Sequence, residues 1–444
     1  MNIIIAGGGE VGRHAAEVLG ADHNVIVIDT SARKLRAIEE TADLRTIRGN
    51  AAHAEVLQQA GAERCELFIA ATNIDEINLL AAAVAKGMGA KKCLARVHHR
   101  AFFDKRILNY AGHLDIHDLI CPEYLTAMEI ARALRSPGAL AIERFAREQI
   151  EMQQLPVDGE MSLTGVPLAG IELPKGVRVA MVTREGRSFI PDRTTCIEPH
   201  DIVSLIGRPD VLSQAQGRFG QEKPKRQLVA IMGGSTLGVW LCRALRKRHF
   251  SVRLFVGERE RAEELAEKLE HVTVIHGDPT DPATFGEEHL EDIDAFVALT
   301  DDDERNLLAC AQAKSLGARS AIVVLQRATY LHLVQHVGID RAFSPRAVAV
   351  REILRAIDDG PVRRMASLAE GEADVYEIRP GARSKVIGKE LRNIKMPEQC
   401  MIAAIQRADD VRVPVAEDKI TAEDVVVVIG PHGAEAELRK LFVK

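Results

Sequence analysis

The sequence predicts an α/β protein built twice over, with two tandem doubly wound parallel sheets, each followed by a small α+β module. Three observations predict it. Short apolar runs alternate with helical patterns, the arrangement of right-handed βαβ units. A glycine-rich turn follows the first run of each half and opens a helix. A segment of the first half, FIAATNIDEINLLA (68–81), returns as FVALTDDDERNLLA (296–309), and the two agree at nine of fourteen positions.

The strands of the first half are IIIA (3–6), VIVI (25–28) before Asp29, LRTI (44–47) before Gly49, LFIAA (67–71) before Thr72, CLARV (93–97) around Arg96, and DLI (118–120) before Cys121. Helical patterns separate them, so a parallel sheet with helices on both faces is expected. After the turn-rich break at Arg135-Ser136-Pro137-Gly138 the pattern changes to VRVAMVTRE (177–185), RSFIP (187–191) and DIVSLIG (201–207). These are the short strands of a module of roughly 80 residues. A polar stretch, GRFGQEKPKRQ (217–227), carries Pro224 and mixed charge and suits an exposed hinge between the copies.

The offset between copies is 228 for the pairs Gly49/Gly277 and Ala90/Ala318, and 223 for Pro122/Pro345 and Gly207/Gly430. Gly12 and Gly238 are 226 apart, so the later copy's first helix and second strand are expected to be two residues longer. The expected domains are 1–137, 138–220, 226–358 and 359–444.

Composition narrows the function classes. Hydrophobic residues make up 46 % of the 444 residues but aromatics only 4 %, so the cores must be built from Val, Ile, Leu and Ala. The net charge of −6, with acids and bases interspersed, argues against a nucleic-acid partner, which needs a clustered basic face. No uninterrupted apolar run reaches the roughly 18 residues of a spanning helix. The chain opens on a strand without a charged leader, so a cytosolic protein is expected. The seven cysteines form no C-x-x-C and are expected as reduced thiols packed in cores.

Gly7-Gly8-Gly9-Glu10-Val11-Gly12 satisfies G-x-G-x-x-G between a strand and a helix, the context of a Rossmann-like dinucleotide loop. Gly7 permits the tight turn, Gly9 lets a pyrophosphate approach the backbone, and Gly12 lets the helix pack on the strand. Asp29 ends the second strand, 20 residues beyond Gly9. A carboxylate there accepts from both ribose hydroxyls and repels a 2′-phosphate, favouring NAD over NADP. Other strand-end positions, Asn50, Thr72, Asn73 and Arg96, complete the candidate lining, with Arg96 suited to phosphate or ribose oxygens. The loop leans to NAD without excluding ATP or ADP.

Chemistry to match a nicotinamide is missing. The module after Pro137 has no dense cluster of Lys, His, Tyr or Asp to serve as acid or base. His98, His99, His113 and His117 sit in the first unit, and the i, i+4 pair His113/His117 lacks a third metal ligand nearby. No catalytic or metal-binding residues are therefore expected.

A duplicated unit carrying GGGEVG, VIVID, RGN, AATNIDEINLLA and LARVHH, followed by a small module, resembles the TrkA family across essentially the whole chain. Those are peripheral regulatory subunits of bacterial and archaeal Trk-type potassium uptake systems, made of tandem RCK (KTN) domains. The resemblance implies a Rossmann N-lobe and an RCK C-lobe in each half. It implies binding of NAD(H), and often ATP or ADP, at Gly7–Val11, Asp29, Thr72, Asn73 and Arg96. It also implies a homotetrameric gating ring on the cytoplasmic face of the membrane, under a TrkH/TrkG-type potassium-conducting subunit.

The second unit departs from the pattern. Its loop, Gly233-Gly234-Ser235-Thr236-Leu237-Gly238, puts Ser235 at the middle glycine. Val256 stands where the ribose carboxylate belongs, and Val324 replaces Arg96. Asp278 and Asp301 replace Asn50 and Asn73 and add negative charge, while Thr300 repeats Thr72. Weak or absent NAD binding is expected there, leaving the second unit mainly as scaffold. Three alternatives stay open on sequence: an RCK-type regulator of another cation channel or transporter, an NAD-dependent oxidoreductase, and a general dimeric nucleotide-sensing module. The acidic run TDDDERN (300–306) could suggest a calcium sensor, but acids opening a solvated helix explain it as well.

Overall fold

In the computed structural model, the first half opens with β1 (Asn2–Ala6), α1 (Glu10–Gly20), β2 (Asn24–Asp29), α2 (Ala32–Thr41), β3 (Arg45–Arg48) and α3 (Ala54–Gln59). It continues through β4 (Leu67–Ala70), α4 (Asp75–Gly87), β5 (Lys92–Arg96), α5 (Arg100–Phe103), α6 (Tyr110–His113), β6 (Asp118–Ile120) and α7 (Pro122–Arg135). The structure describes all residues except 104–106, 136–140, 146–148, 158–163, 217–218, 220–225, 247–248, 328–329, 358–359, 369–372, 409 and 444. The expected break at Ser136-Pro137-Gly138 and most of the expected 217–227 hinge thus lie outside the described residues.

The six strands are all parallel in the order β3-β2-β1-β4-β5-β6, the doubly wound arrangement. β1 reads as an unbroken apolar run because both faces of the sheet are covered. Ile4 and Ala6 join a cluster with Phe68, Ala82 and Cys93, while Ile3 and Ile5 join one with Val27, Ala15 and Ile69.

The first module adds β7 (Ala141–Phe145), β8 (Ile150–Pro156), β9 (Val177–Arg184), β10 (Arg187–Phe189), β11 (Ile202–Gly207) and α8 (Pro209–Gln216). The second half repeats the plan. Its parallel sheet comprises β12 (Gln227–Met232), β13 (Phe250–Val256), β14 (Thr273–His276), β15 (Ala295–Ala298), β16 (Ala321–Val324) and β17 (Arg341–Phe343), in the order β14-β13-β12-β15-β16-β17. Around it lie α9 (Thr236–Ala244), α10 (Arg259–Lys268), α11 (Pro282–Glu287), α12 (Asp303–Ser315), α13 (Leu333–His336) and α14 (Pro345–Ile357). The closing module holds β18 (Val362–Leu368), β19 (Ala373–Ile378), β20 (Met401–Arg407), β21 (Asp410–Arg412), β22 (Val425–Pro431) and α15 (Glu435–Phe442).

Both modules are five-stranded antiparallel sheets of matching order, β10-β9-β11-β8-β7 and β21-β20-β22-β19-β18. The sequence patterns found β9 to β11 but missed β7 and β8. The two extra residues of the later copy fall elsewhere than expected. α9 has 9 residues against 11 in α1, its connection to β13 has five against three, and β13 has 7 against 6 in β2, a net gain of one; the other extra residue lies between α10 and β14.

The chain forms two compact units, one of 1–131 with 226–357 and the other of 132–225 with 358–444. In the first, the two parallel-sheet lobes are joined by α14, whose Ala349, Val350 and Ile353 are buried in the first lobe's core beside Ile5, Val11 and Ala15. Tyr124 of α7 meets Trp240 of α9 edge-on at 4.9 Å. In the second, Met152, Met181 and Ile206 share one core with Val375, Ala403 and Val427. An ion pair recurs there in both copies: Arg184 donates to the buried Asp201, and Arg407 to the buried Asp424, each at 2.8–2.9 Å.

Candidate functional site

The turn after β1 is set by its glycines. Gly7 has φ 111°, and its N–H donates to the Ile28 carbonyl at 2.7 Å. A Cβ at Gly7 would lie 2.7 Å from the Ala71 carbonyl oxygen, and one at Gly12 only 1.9 Å from that of Gly7. Both are packing constraints. Gly9 is different. Its backbone is extended, and a Cβ would meet nothing nearer than Asn73 Oδ1 at 4.0 Å. Gly9 is the N-cap of α1 and gives it no side-chain cap, so the first-turn N–H groups are presented to whatever enters.

Asp29 braces the same turn. Its Oδ2 accepts the Gly8 N–H and its Oδ1 the Ser31 N–H, each at 2.7 Å, and Lys34 Nζ stands 3.7 Å away. Each carboxylate oxygen has further acceptor capacity for a ribose hydroxyl.

The remaining strand-end residues divide. Asn73 and Arg96 line the cleft. Arg96 is held by Glu123 at 2.9 Å, both side chains mostly buried. Asn50 stabilises its own turn by accepting the Ala52 N–H. Thr72 is a brace: its N–H and hydroxyl both donate to Oδ1 of the fully buried Asn78, at 2.8 and 2.7 Å, and Asn78 Nδ2 donates to the Thr72 and Arg96 carbonyls. Asp75, also buried, accepts the His98 and His99 N–H groups and pairs with His98 Nδ1 at 2.7 Å. Burial pushes the Asp75 carboxyl up, but these bonds outweigh it and hold it below its ordinary range. His113 and His117 do not share a helix, since α6 ends at His113 and Asp115 has φ 53°.

The second loop has the same frame with different contacts. Gly233 has φ 125° and donates to the Phe255 carbonyl as Gly7 does to Ile28. Strand register therefore puts Val256 in the place of Asp29, where its methyls face Gly234. Ser235 is the N-cap of α9, and its Oγ accepts the Gly238 N–H at 3.4 Å, so this helix caps itself. Arg261 Nε donates to the Gly234 carbonyl at 3.1 Å. Thr300 repeats the brace with Asn306, and Asp302 caps α12 by accepting the Arg305 N–H.

The two loops open on one cleft of about 760 Å³ within the first unit. Gly8, Gly9, Glu10 and Val11 line it from the first lobe, and Ser235, Thr236, Leu237 and Asp301 from the second. Gly7, Gly12, Asp29, Asn50 and Thr72 support the loop and strand ends around it, as do Gly233, Gly234 and Thr300 in the second lobe. Sequence reasoning missed the cations of the cleft, Arg33, Lys34, Arg261 and Arg346. Arg33 and Lys34 open α2 just after Asp29, which was a usable signal. Arg346 had only its repeat position, following Pro345 as Glu123 follows Pro122. Its Nη1 lies 2.7 Å from Glu10 Oε2 of the other lobe.

No helix among the described residues is long and apolar enough to cross a membrane. The TrkA-N domain model matches residues 3–122 and 229–345, and the TrkA-C domain model matches 154–220 and 375–443. The chain is 34 % identical over 442 residues to a Trk system potassium uptake protein TrkA homolog of Archaeoglobus fulgidus, covering 100 % of both chains. It is 33 % identical to the Trk system potassium uptake protein TrkA of Vibrio alginolyticus, over 96 % of this chain and 95 % of that one. Among solved structures, the GsuK channel bound to NAD superposes with a TM-score of 0.64 at 18 % identity, covering 98 % of this chain and 78 % of that one. The GsuK RCK domain gives 0.62 at 18 % identity, covering 98 % and 93 %.

Proposed function

The chain belongs to the TrkA family of Trk potassium uptake proteins, and from that premise we propose that it is a nucleotide-sensing regulatory subunit rather than an enzyme. NAD(H), and in competition ATP or ADP, bind at the first loop, with phosphates at Gly8–Val11 and the ribose at Asp29. Asn73 and Arg96 complete the lining, while Asn50 and Thr72 hold its shape. The second lobe binds weakly or not at all, since Ser235 occupies its own helix N-terminus and Val256 cannot accept from a ribose. In this reading the chain forms a homotetrameric ring on the cytoplasmic face of a TrkH/TrkG-type membrane subunit, and nucleotide occupancy sets potassium flux. The lobes act as units at 1–137, 138–220, 226–358 and 359–444.

The observation that carries the reading is Gly9: a helix N-terminus with no cap of its own, opening on a cleft with room beside the glycine. The GsuK channel that shares this fold is bound to NAD, which supports the ligand class. Calorimetry of NADH, NAD, ATP and ADP on the full chain and on Asp29→Ala tests it. Loss of NADH heat in the variant is expected. An unchanged isotherm, or consumption of NADH, overturns the reading. Potassium flux through the co-purified membrane subunit, with and without nucleotide, tests the regulatory role.

A further inference from the structure

We infer that Arg346, delivered by the second lobe, is a phosphate-binding residue for a nucleotide held in the first lobe, and that Glu10 holds its place until the phosphate arrives. This rests on the proposed first-loop site. Arg346 follows Pro345 at the start of α14 and stands three residues beyond Phe343, the end of β17. Yet α14 is rooted in the first lobe through Ala349, Val350 and Ile353. That anchorage carries the guanidinium to the first residue of α1, where Nη1 meets Glu10 Oε2 at 2.7 Å.

The partner is a poor permanent one. Glu10 is 54 % exposed and its Oε2 also accepts from Arg13 at 3.4 Å, and an ion pair with one member this open to water is worth little. A pyrophosphate at the uncapped N-terminus of α1 brings denser charge to the same spot, in a geometry a guanidinium fork matches. Of the other cations of the cleft, Arg96 is engaged by Glu123, Lys34 by Asp29, and Arg261 by Gly234 and Glu264, while Arg33 opens α2 within the first lobe itself. Arg346 is the one that bridges from the second lobe to the first-lobe loop. Transfer of its fork from Glu10 to the ligand ties nucleotide occupancy to the second lobe, whose own loop caps itself.

The test is titration of the full-length chain with NADH and with ADP, on wild type, Arg346→Gln, Arg346→Lys, Glu10→Gln and Asp29→Ala, with thermal midpoints measured alongside. Arg346→Gln is expected to weaken both ligands about tenfold, with Arg346→Lys recovering part of the loss, as for one charge-assisted contact. Glu10→Gln is expected to tighten both several-fold by removing the competitor and its charge. If Arg346→Gln binds as wild type while Asp29→Ala loses binding, this inference falls and the first-loop site stands. If Asp29→Ala binds as wild type, both fall. If Glu10→Gln weakens binding as much as Arg346→Gln, the pair is a structural clamp and the inference is overturned.

Discussion

Ser235 Oγ accepts the backbone N–H of Gly238 at 3.4 Å, whereas Gly9, at the matching place in the first copy, offers α1 no side chain at all. One loop has satisfied its own helix terminus, and the other has left it for a ligand. The difference is a single hydroxymethyl group, which makes it directly testable.

Gly9→Ser should abolish nucleotide binding while leaving the fold intact. The position has extended backbone and open space, so a serine fits and caps the helix as Ser235 does. Calorimetry should show no ADP or NADH heat, with a thermal midpoint equal to or slightly above wild type. Gly12→Ala is the contrast. Its Cβ would fall 1.9 Å from the Gly7 carbonyl oxygen, so the helix must shift off the strand. A loss of about 3 kcal/mol or more in denaturant unfolding is expected.

Restoring the second loop needs two changes. Ser235→Gly alone uncaps α9 without supplying a ribose acceptor, and should lower stability by about 1 kcal/mol or less with no new binding. Ser235→Gly with Val256→Asp supplies both. Raised NADH stoichiometry in the double variant, and not in either single one, is the expected calorimetric result.

The helix that joins the lobes has a measurable anchor. Ile353 is 2 % exposed among first-lobe residues. Ile353→Ala should cost about 2–5 kcal/mol, a large-to-small core change. Hydrogen exchange should show α14 losing protection while β12 to β17 keep theirs.

Acid stability should follow the recurring ion pairs of the second unit. Burial pushes the Asp201 carboxyl up, but the Arg184 fork and the Glu198 N–H outweigh it and hold it below the usual range. Asp424 behaves alike with Arg407 and Thr421. A depressed native pKa means that the unfolded chain takes the proton first. The stabilisation is therefore full above the ordinary aspartate value of about 3.9, and is lost as pH falls through the lower native values. Denaturant midpoints should drop steeply below about pH 4. Asp201→Ala should flatten that limb and cost about 1–3 kcal/mol at neutral pH, because the Glu198 N–H loses its buried acceptor and Arg184 keeps only Glu198 and the Cys196 carbonyl.

Much of this was legible in the chain because it depends on neighbours in sequence. Alternating apolar runs fixed two parallel sheets, the duplication fixed their number, and Gly7, Gly9 and Gly12 marked the loop by their spacing to Asp29. Local spacing could not separate braces from lining. Thr72 and Asn73 are adjacent, yet the first is consumed by Asn78 six residues on and the second faces the cleft. Strand β8 escaped because its sequence, IEMQQLP, buries Glu151 and Gln153 among its apolar residues, so no clean apolar alternation marks it, and β7 pairs with that strand.

The two sheets, the glycine turn and the altered second loop can be read along the chain, because each is set by periodicity or by residues within one βαβ unit. That both loops share one cleft, and that Arg346 stands against Glu10, 336 positions earlier in the chain, emerges from packing between the lobes. α14 buries its apolar face in the other lobe's core, and no pattern along a helix says which surface will cover it.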